Sequence, residues 1–253
     1  MEWIYFSPHL DDIALSCGGL VWEQVQSGDH VSIWTIFSGD PAKGNLSDFA
    51  EQLHARWGGG RNIIAQRRAE DIQSCAKLGA IHRHFNYPDC IYRGLPDTAQ
   101  EHPRAGKMDF FYDSRDAIFG KIHPAESGFI DQLSLSLACA LPNNVEVICP
   151  LAIGRHIDHQ ITRISLEKLS RQLWYYADYP YILDNLEQLN QLDGFGWKRK
   201  SYQISSAGMD AWQQSVETHQ SQISTFWPDL GSMREALVNY KQLFDGCVLW
   251  KPE

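Results

Sequence analysis

The chain opens with EWIYFS, residues 2–7, a short aromatic and β-branched run that predicts a buried strand. Residues 13–27 then carry Ile13, Leu20, Val21 and Val25 on or near one helical face, with Gly28 placed to close the helix. HVSIWTIFS, residues 30–38, predicts a second strand ended by Gly39-Asp40-Pro41. Strand, helix and strand in that order form a βαβ unit, which implies a parallel sheet. Residues 39–60 lack periodicity and read as a loop, with Gly58-Gly59-Gly60 its loosest part; no strand immediately precedes these glycines, which favours a surface loop over a phosphate cradle.

Further along, residues 62–78 predict a helix stopped by Gly79, and residues 82–87 a third strand. Residues 90–127 are irregular and rich in Gly, Pro and Asp, the composition of a long functional loop or a small insertion. An amphipathic helix over 127–141, a buried strand over 145–151, a helix over 157–173 and a strand over 174–179 continue the alternation. Periodicity weakens after that, with a strand expected over 198–204 and helices over 209–226 and 233–244. No repeat or low-complexity linker interrupts the chain. The expectation is a single α/β domain over residues 1–253, a Rossmann-like three-layer sandwich with a mostly parallel central sheet. Its core would span about 1–180 and a C-terminal extension about 181–253.

Composition narrows the partners. A 43% hydrophobic and 21% charged chain is an ordinary globular balance, and 22 Lys plus Arg against 31 Asp plus Glu leaves a net charge of -9. Such a surface repels nucleic acid and anionic membranes, and Arg67-Arg68 and Lys198-Arg199-Lys200 are too short to act as a basic patch. The first residues run straight into a strand without the features of a signal peptide, and no apolar stretch is long enough to span a bilayer, so a soluble, cytoplasmic protein is expected. The six cysteines are scattered, without a Cys-x-x-Cys pair, and read as reduced core thiols.

Two segments carry chemistry. His9-Leu10-Asp11-Asp12 follows the first strand, and Gly154-Arg155-His156-Ile157-Asp158-His159 follows the strand over 145–151. In open parallel sheets, sites form beyond the carboxyl ends of the strands, so a central sheet would bring these segments together. Within each, a spacing of three (His9 to Asp12, His156 to His159) places two polar groups on one face of a helix's first turn. Two imidazoles and a carboxylate are a normal donor set for catalytic zinc, and the adjacent Asp11 stands where a general base belongs. Taken alone, Asp11 or Asp12 reads equally as a helix N-cap, and a His-x-x-His pair arises by chance. Two such segments at equivalent strand ends shift the balance to a metal site.

Four stretches resemble the PIG-L, or LmbE-like, family of zinc-dependent N-deacetylases acting on N-acetylglucosamine-type conjugates. They are SPHLDDIALSCGG (residues 7–19), RRAEDIQSCAKLG (67–79), NYPDCIYRG (86–94) and GRHIDHQ (154–160), in the family's order. The resemblance implies that His9, Asp12 and His159 hold zinc; by its chemistry a His/His/Asp set also accepts Fe2+ or Co2+. It implies that Asp11 takes the proton of the attacking water, and that His156 stabilises the oxyanion or protonates the leaving amine. It also implies that Arg67 and Asp89 contact a small N-acylated substrate, expected to be a sugar. Leu10 departs from the family's usual proline, leaving a turn without that φ restraint.

Read from the residues themselves, Arg67 suits either a substrate contact or an exposed pair with Glu70, and Asp89 either a sugar contact or a turn after Pro88. The aromatic run Trp174 to Tyr179 suits a core strand better than a sugar platform, and Trp57 is the better candidate to stack on a sugar. Two rival functions stand beside the deacetylase: an amidase for a larger acyl or thiol-conjugate group, with residues 90–127 setting what enters, and a non-catalytic sugar- or nucleotide-binding module. The complete set of His9, Asp11, Asp12, His156 and His159 weighs against the latter. A dinucleotide enzyme is disfavoured because the first turn lacks Gly-x-Gly-x-x-Gly and carries carboxylates.

Overall fold

The computed structural model of the protein describes residues 1–42, 46–59, 62–96, 108–192 and 196–253. Strand β1 (Glu2–Ser7) leads into helix α1 (Asp12–Gln26) and strand β2 (His30–Thr35), and α2 (Asp48–Arg56) and α3 (Ile63–Leu78) precede β3 (Ile81–His84). An antiparallel pair, β4 (Gly94–Pro96) and β5 (Met108–Phe110), then the single turn α4 (Arg115–Ile118) and helix α5 (Ser127–Ala140), lie before β6 (Glu146–Pro150). Next come α6 (Ile157–Glu167), β7 (Trp174–Tyr176), α7 (Leu186–Leu192) and β8 (Trp197–Tyr202). Helices α8 (Ser206–Glu217), α9 (Gln220–Phe226) and α10 (Leu230–Leu243) and strand β9 (Cys247–Pro252) end the chain.

The main sheet runs β3-β2-β1-β6-β7-β9-β8; its first five strands are parallel, and β9 and β8 are antiparallel to their neighbours. Trp3 to Phe6 are all buried, because a central strand covered on both faces tolerates no polar alternation. From β1 the chain first builds outward through β2 and β3 and then returns to place β6 on β1's other side. Right-handed crossovers on the two sides of that reversal put helices on opposite faces: α1, α3 and α8 pack together, and α5 packs with α6. The reversal also opens a crevice between the carboxyl ends of β1 and β6.

The C-terminal residues are built into this layer structure. Trp212 of α8 is fully buried on α1, its indole Nε1 donating to the Ala14 carbonyl at 2.6 Å. Gly18 and Gly19 make that approach feasible, since a Cβ at either would lie 2.6 or 2.7 Å from the indole ring. Among the described residues, no helix is long and apolar enough to cross a membrane.

The structure departs from the sequence pattern at several points. Residues 39–60 contain helix α2, capped by Ser47, whose Oγ accepts from Ala50 N at 3.1 Å, with Asp48 and Glu51 in its first turn; Gly60 lies outside the described residues. The helix expected over 157–173 ends at Glu167, and Ser170 then turns the chain with a φ of 52°. The helix over 209–226 is two helices. Glu70 of α3 accepts from Ser221 N at 3.2 Å and from Ser221 Oγ at 2.6 Å, so a side chain from a distant helix caps a fresh N-terminus there. Strand β9, which extends the sheet, was not expected; its pairing partners are remote in sequence. The aromatic run is core as expected, with Tyr175 and Tyr176 buried.

Candidate metal centre and cleft

His9, Asp11 and Asp12 occupy the turn from β1 into α1, and His156 and His159 the start of α6, on the two sides of the crevice. Asp12 holds its own turn closed by accepting from His9 N at 2.7 Å. Its two oxygens then stand 3.3 Å from His9 Nδ1 and 3.4 Å from His159 Nε2. The ligand atoms of His9, His156 and His159 lie within 4.8 Å of one another. Leu10 is buried and does not line the cleft, so it alters the packing under the turn rather than the site's donors.

Each imidazole is oriented by a partner. His9 Nε2 donates to Asp158 Oδ2 at 3.0 Å, leaving Nδ1 with a lone pair toward Asp12. His159 Nδ1 donates to Asp178 Oδ1 at 2.5 Å, so in the neutral imidazole Nε2 carries the lone pair; that nitrogen is buried and has no hydrogen-bond partner. His156 Nδ1 accepts from Asp158 N at 3.3 Å, which leaves the proton on Nε2. Asp158 is itself held by Cys90 N at 2.9 Å and Arg93 Nη1 at 2.7 Å, and Arg93 Nε donates to Glu126 at 2.5 Å. Carboxylates behind metal-facing histidines set their tautomer and basicity. Asp158, Asp178, Arg93 and Glu126 were not singled out in sequence. Asp158 and Arg93 lie inside quoted motifs, whereas Asp178 sits in an aromatic run and Glu126 in an irregular stretch, with no local mark of their use.

The electrostatics ask for a cation. Burial works to lower the His9 imidazole, but Asp89, Asp12 and Asp158 outweigh it and push it well up. Burial likewise opposes, and Asp12 and Asp178 overcome it, raising His159 to about 9. Against the cost of burial, His159 and His9 hold the Asp12 carboxyl well below its ordinary value. A field that draws protons onto His9 and His159 also favours a divalent ion in their place. His156 differs: burial, His9 and His159 all lower it, so it stays neutral. Burial raises Asp11 to about 6 against the opposing Arg67 guanidinium. The bare His159 Nε2, the flanking Asp12 and the N/O donor chemistry fit a divalent metal.

The centre opens into a cleft of about 480 Å³. Arg67 is buried there, with Nη2 3.7 Å from Asp11 Oδ1 and its guanidinium 4.5 Å from the centre of the Trp57 ring. The pair with Glu70 does not form, because Glu70 caps α9 instead. Trp57 lies under Arg67 and also lines the cleft. Asp89 serves both readings: Oδ1 accepts from Ile91 N at 3.2 Å as a turn residue, and Oδ2 stands 3.6 Å from His9 Nε2. Phe49 and Leu53 of α2, Ile118 of α4, Phe119, Tyr181 and Phe226 of α9 add an apolar wall. Of the expected 90–127 loop only Ile91, Arg115, Ile118 and Phe119 reach the cleft among the described residues, and 97–107 lie outside them. Burial pushes the Tyr181 phenol and the thiols of Cys17, Cys90 and Cys149 well up. None of those thiols suits a nucleophile.

A mostly parallel α/β sheet with a His/Asp cluster at its switch point is the setting of a small-molecule site whose donors suit a divalent metal. The chain belongs to the PIG-L family, described as GlcNAc-PI de-N-acetylase, whose pattern it matches over residues 4–168. It is 26% identical over 213 residues to a 2'-N-acetylparomamine deacetylase of Niallia circulans, covering 78% of this chain and 72% of that protein. It is 27% identical over 180 residues to the protein of the same name from Streptomyces fradiae, covering 69% of this chain and 56% of that one. The fold is that of teicoplanin deacetylase in its zinc-inhibited form, with a TM-score of 0.77 at 22% identity over 99% of this chain and 97% of the other. The deacetylase of A40926 pseudoaglycone superposes with a TM-score of 0.69 at 23% identity, covering 98% of this chain and 95% of that one.

Proposed function

We propose that the protein is a zinc-dependent N-deacetylase that removes the acetyl group from an N-acetylated amino sugar. The observation that carries this reading is the buried, unpartnered His159 Nε2 facing Asp12 and His9, with the Asp11 carboxylate beside them. The deacetylase names of the similar proteins support it. His9, Asp12 and His159 would hold the metal, which when bound polarises the acyl carbonyl and acidifies water.

The remaining chemistry belongs to the chain. Asp11, held near neutrality by burial, takes the proton of the water that attacks the amide carbon. His156 is neutral and carries its proton on Nε2, so it donates to the acyl oxygen as charge builds there. The proton taken up by Asp11 passes to the amide nitrogen as the C–N bond breaks, and acetate and a free amine leave. Arg67 keeps Asp11 in place and, with Asp89, offers polar contacts to the sugar. A second reading, an amidase for a larger acyl group, draws support from the apolar wall formed by Phe49, Leu53, Ile118 and Phe226.

The test is metal analysis of the purified protein, followed by amine release from a panel of N-acetylated amino sugars and of the same sugars with longer acyl groups. Zinc near one equivalent, with chelator-sensitive amine release, is expected. Full activity after complete metal removal would overturn the reading, and preference for the longer acyl groups would select the second.

A further inference from the structure

Tyr181 lines the cleft, yet the mechanism above leaves it without a task. It begins the short 3-10 turn Tyr181–Asn185, after β7. Its ring centre is 5.5 Å from that of His159, nearly perpendicular, and 6.3 Å from that of His156, inclined by only 22°. Phe119 packs against both Tyr181 and His156, at 5.4 and 5.3 Å between ring centres. This ring is therefore held against the two histidines of α6 rather than loosely placed at the rim.

Gly154 makes the placement feasible. A Cβ there would stand 2.3 Å from Tyr181 Cβ and 2.7 Å from Cγ, so any other residue would force the tyrosine away. The constraint is one of space, because Gly154 is not among the glycines of positive φ. The hydroxyl is also free to meet a ligand. Those of Tyr5, Tyr92, Tyr112, Tyr175, Tyr176 and Tyr240 have hydrogen-bond partners, whereas among the described residues that of Tyr181 has none; the buried Tyr202 hydroxyl shares that state, but Tyr202 does not line the cleft. A phenol on a cleft-lining residue, with its ring fixed and its hydroxyl unbonded, is a donor prepared for a ligand.

We infer that Tyr181 is a further catalytic residue, whose hydroxyl donates a hydrogen bond to the acyl oxygen of the bound amide as that oxygen gains negative charge, beside His156. The inference rests on the deacetylase reading. Donors aimed at developing charge act on the transition state more than on the bound substrate, so their loss appears in kcat rather than KM.

The test uses Tyr181→Phe, which keeps the ring and removes only the donor, and Gly154→Ala, which displaces the ring. Both are measured as metal-loaded full-length protein. With N-acetylglucosamine as probe, Tyr181→Phe is expected to lower kcat by about 10- to 100-fold with KM and metal content little changed, less than the ~100- to 1,000-fold measured for a dedicated oxyanion donor. Gly154→Ala should reproduce the kcat loss. Calorimetry with a methylphosphonamidate analogue of that sugar should show binding weakened by a similar factor in Tyr181→Phe. A merely structural ring would leave Tyr181→Phe equal to wild type in both readouts and would overturn the assignment, as would a change confined to KM. Wild-type protein that hydrolysed no acetamide would sink the deacetylase reading. The tyrosine assignment is read separately from the analogue: equal affinity in wild type and Tyr181→Phe, or no binding by wild type, overturns it.

Discussion

His159 faces the candidate metal centre through Nε2 because Asp178 engages its other nitrogen, and replacing Asp178 by Asn isolates that influence. The Asp178 carboxylate is 1% exposed, and its 2.5 Å contact to His159 Nδ1 is a charge-assisted bond, about twice as strong as a neutral one. Asn keeps an acceptor of the same shape but removes the charge that makes Nε2 a strong donor. It can also present its NH2 to Nδ1, which would move the imidazole proton onto Nε2 and block the lone pair. Loss of such an outer partner weakens metal binding by about 10- to 100-fold, or about 1.4–2.7 kcal/mol. Stability of the metal-free protein should fall as well. There Asp178 is the buried counter-ion of the His159 imidazole, so removing its charge breaks a buried pair. The expected signature is a higher zinc Kd, measured by competition with a chromophoric chelator, together with a lower Tm in excess EDTA. A zinc Kd within about twofold of wild type would refute this account of how His159 is prepared.

Asp11→Asn should keep its metal while kcat falls by about 10²- to 10⁴-fold, checked by metal analysis beside the amine-release assay; an undiminished rate would show that the base is elsewhere. Gly18→Ala should destabilise the protein by about 1–3 kcal/mol in urea unfolding, because the added methyl lies 2.6 Å from a fully buried Trp212 ring and overpacking outweighs alanine's better helix propensity. An unchanged midpoint would mean that α8 yields easily. His219 gives a pH dependence. Burial first, and then the Arg67 guanidinium, lower its imidazole to about 3, and its Nε2 is buried without a partner. The folded state keeps it neutral while the unfolded chain protonates near 6.5, so its contribution is intact above about pH 6.5 and lost as pH falls toward 3. That loss amounts to at most about 1.4 kcal/mol per pH unit. His219→Asn should flatten the decline in urea midpoint between pH 6 and 4, and parallel curves for the two proteins would refute it.

Much of the candidate site was legible because its signals are local. His9, Asp11 and Asp12 share one turn and His156 and His159 another, and the strands before both turns are continuous apolar runs. Helix α2 was missed although Ser47, Asp48 and Glu51 form an ordinary N-terminal signature, because the glycines at 58–60 and the absence of a long apolar stripe masked it. The division at 218–219 was not legible at all, since the groups that end one helix and cap the next come from Glu70 on α3.

Taken by itself, the sequence determined the alternation of strands and helices, the parallel character of the sheet and the two clusters of candidate ligands. Those follow from hydrophobic period, turn residues and spacing within a few residues, which act over one or two turns of chain. Tertiary structure alone decided which nitrogen of each histidine is free, because Asp158 reaches across to His9 from α6 and Asp178 to His159 from the segment after β7. It also decided that the C-terminal residues wall the cleft and complete the sheet, since Phe226 and β9 meet partners that no local pattern encodes. A ligand's residue type is local information, whereas its lone pair is directed by whatever the fold places behind it.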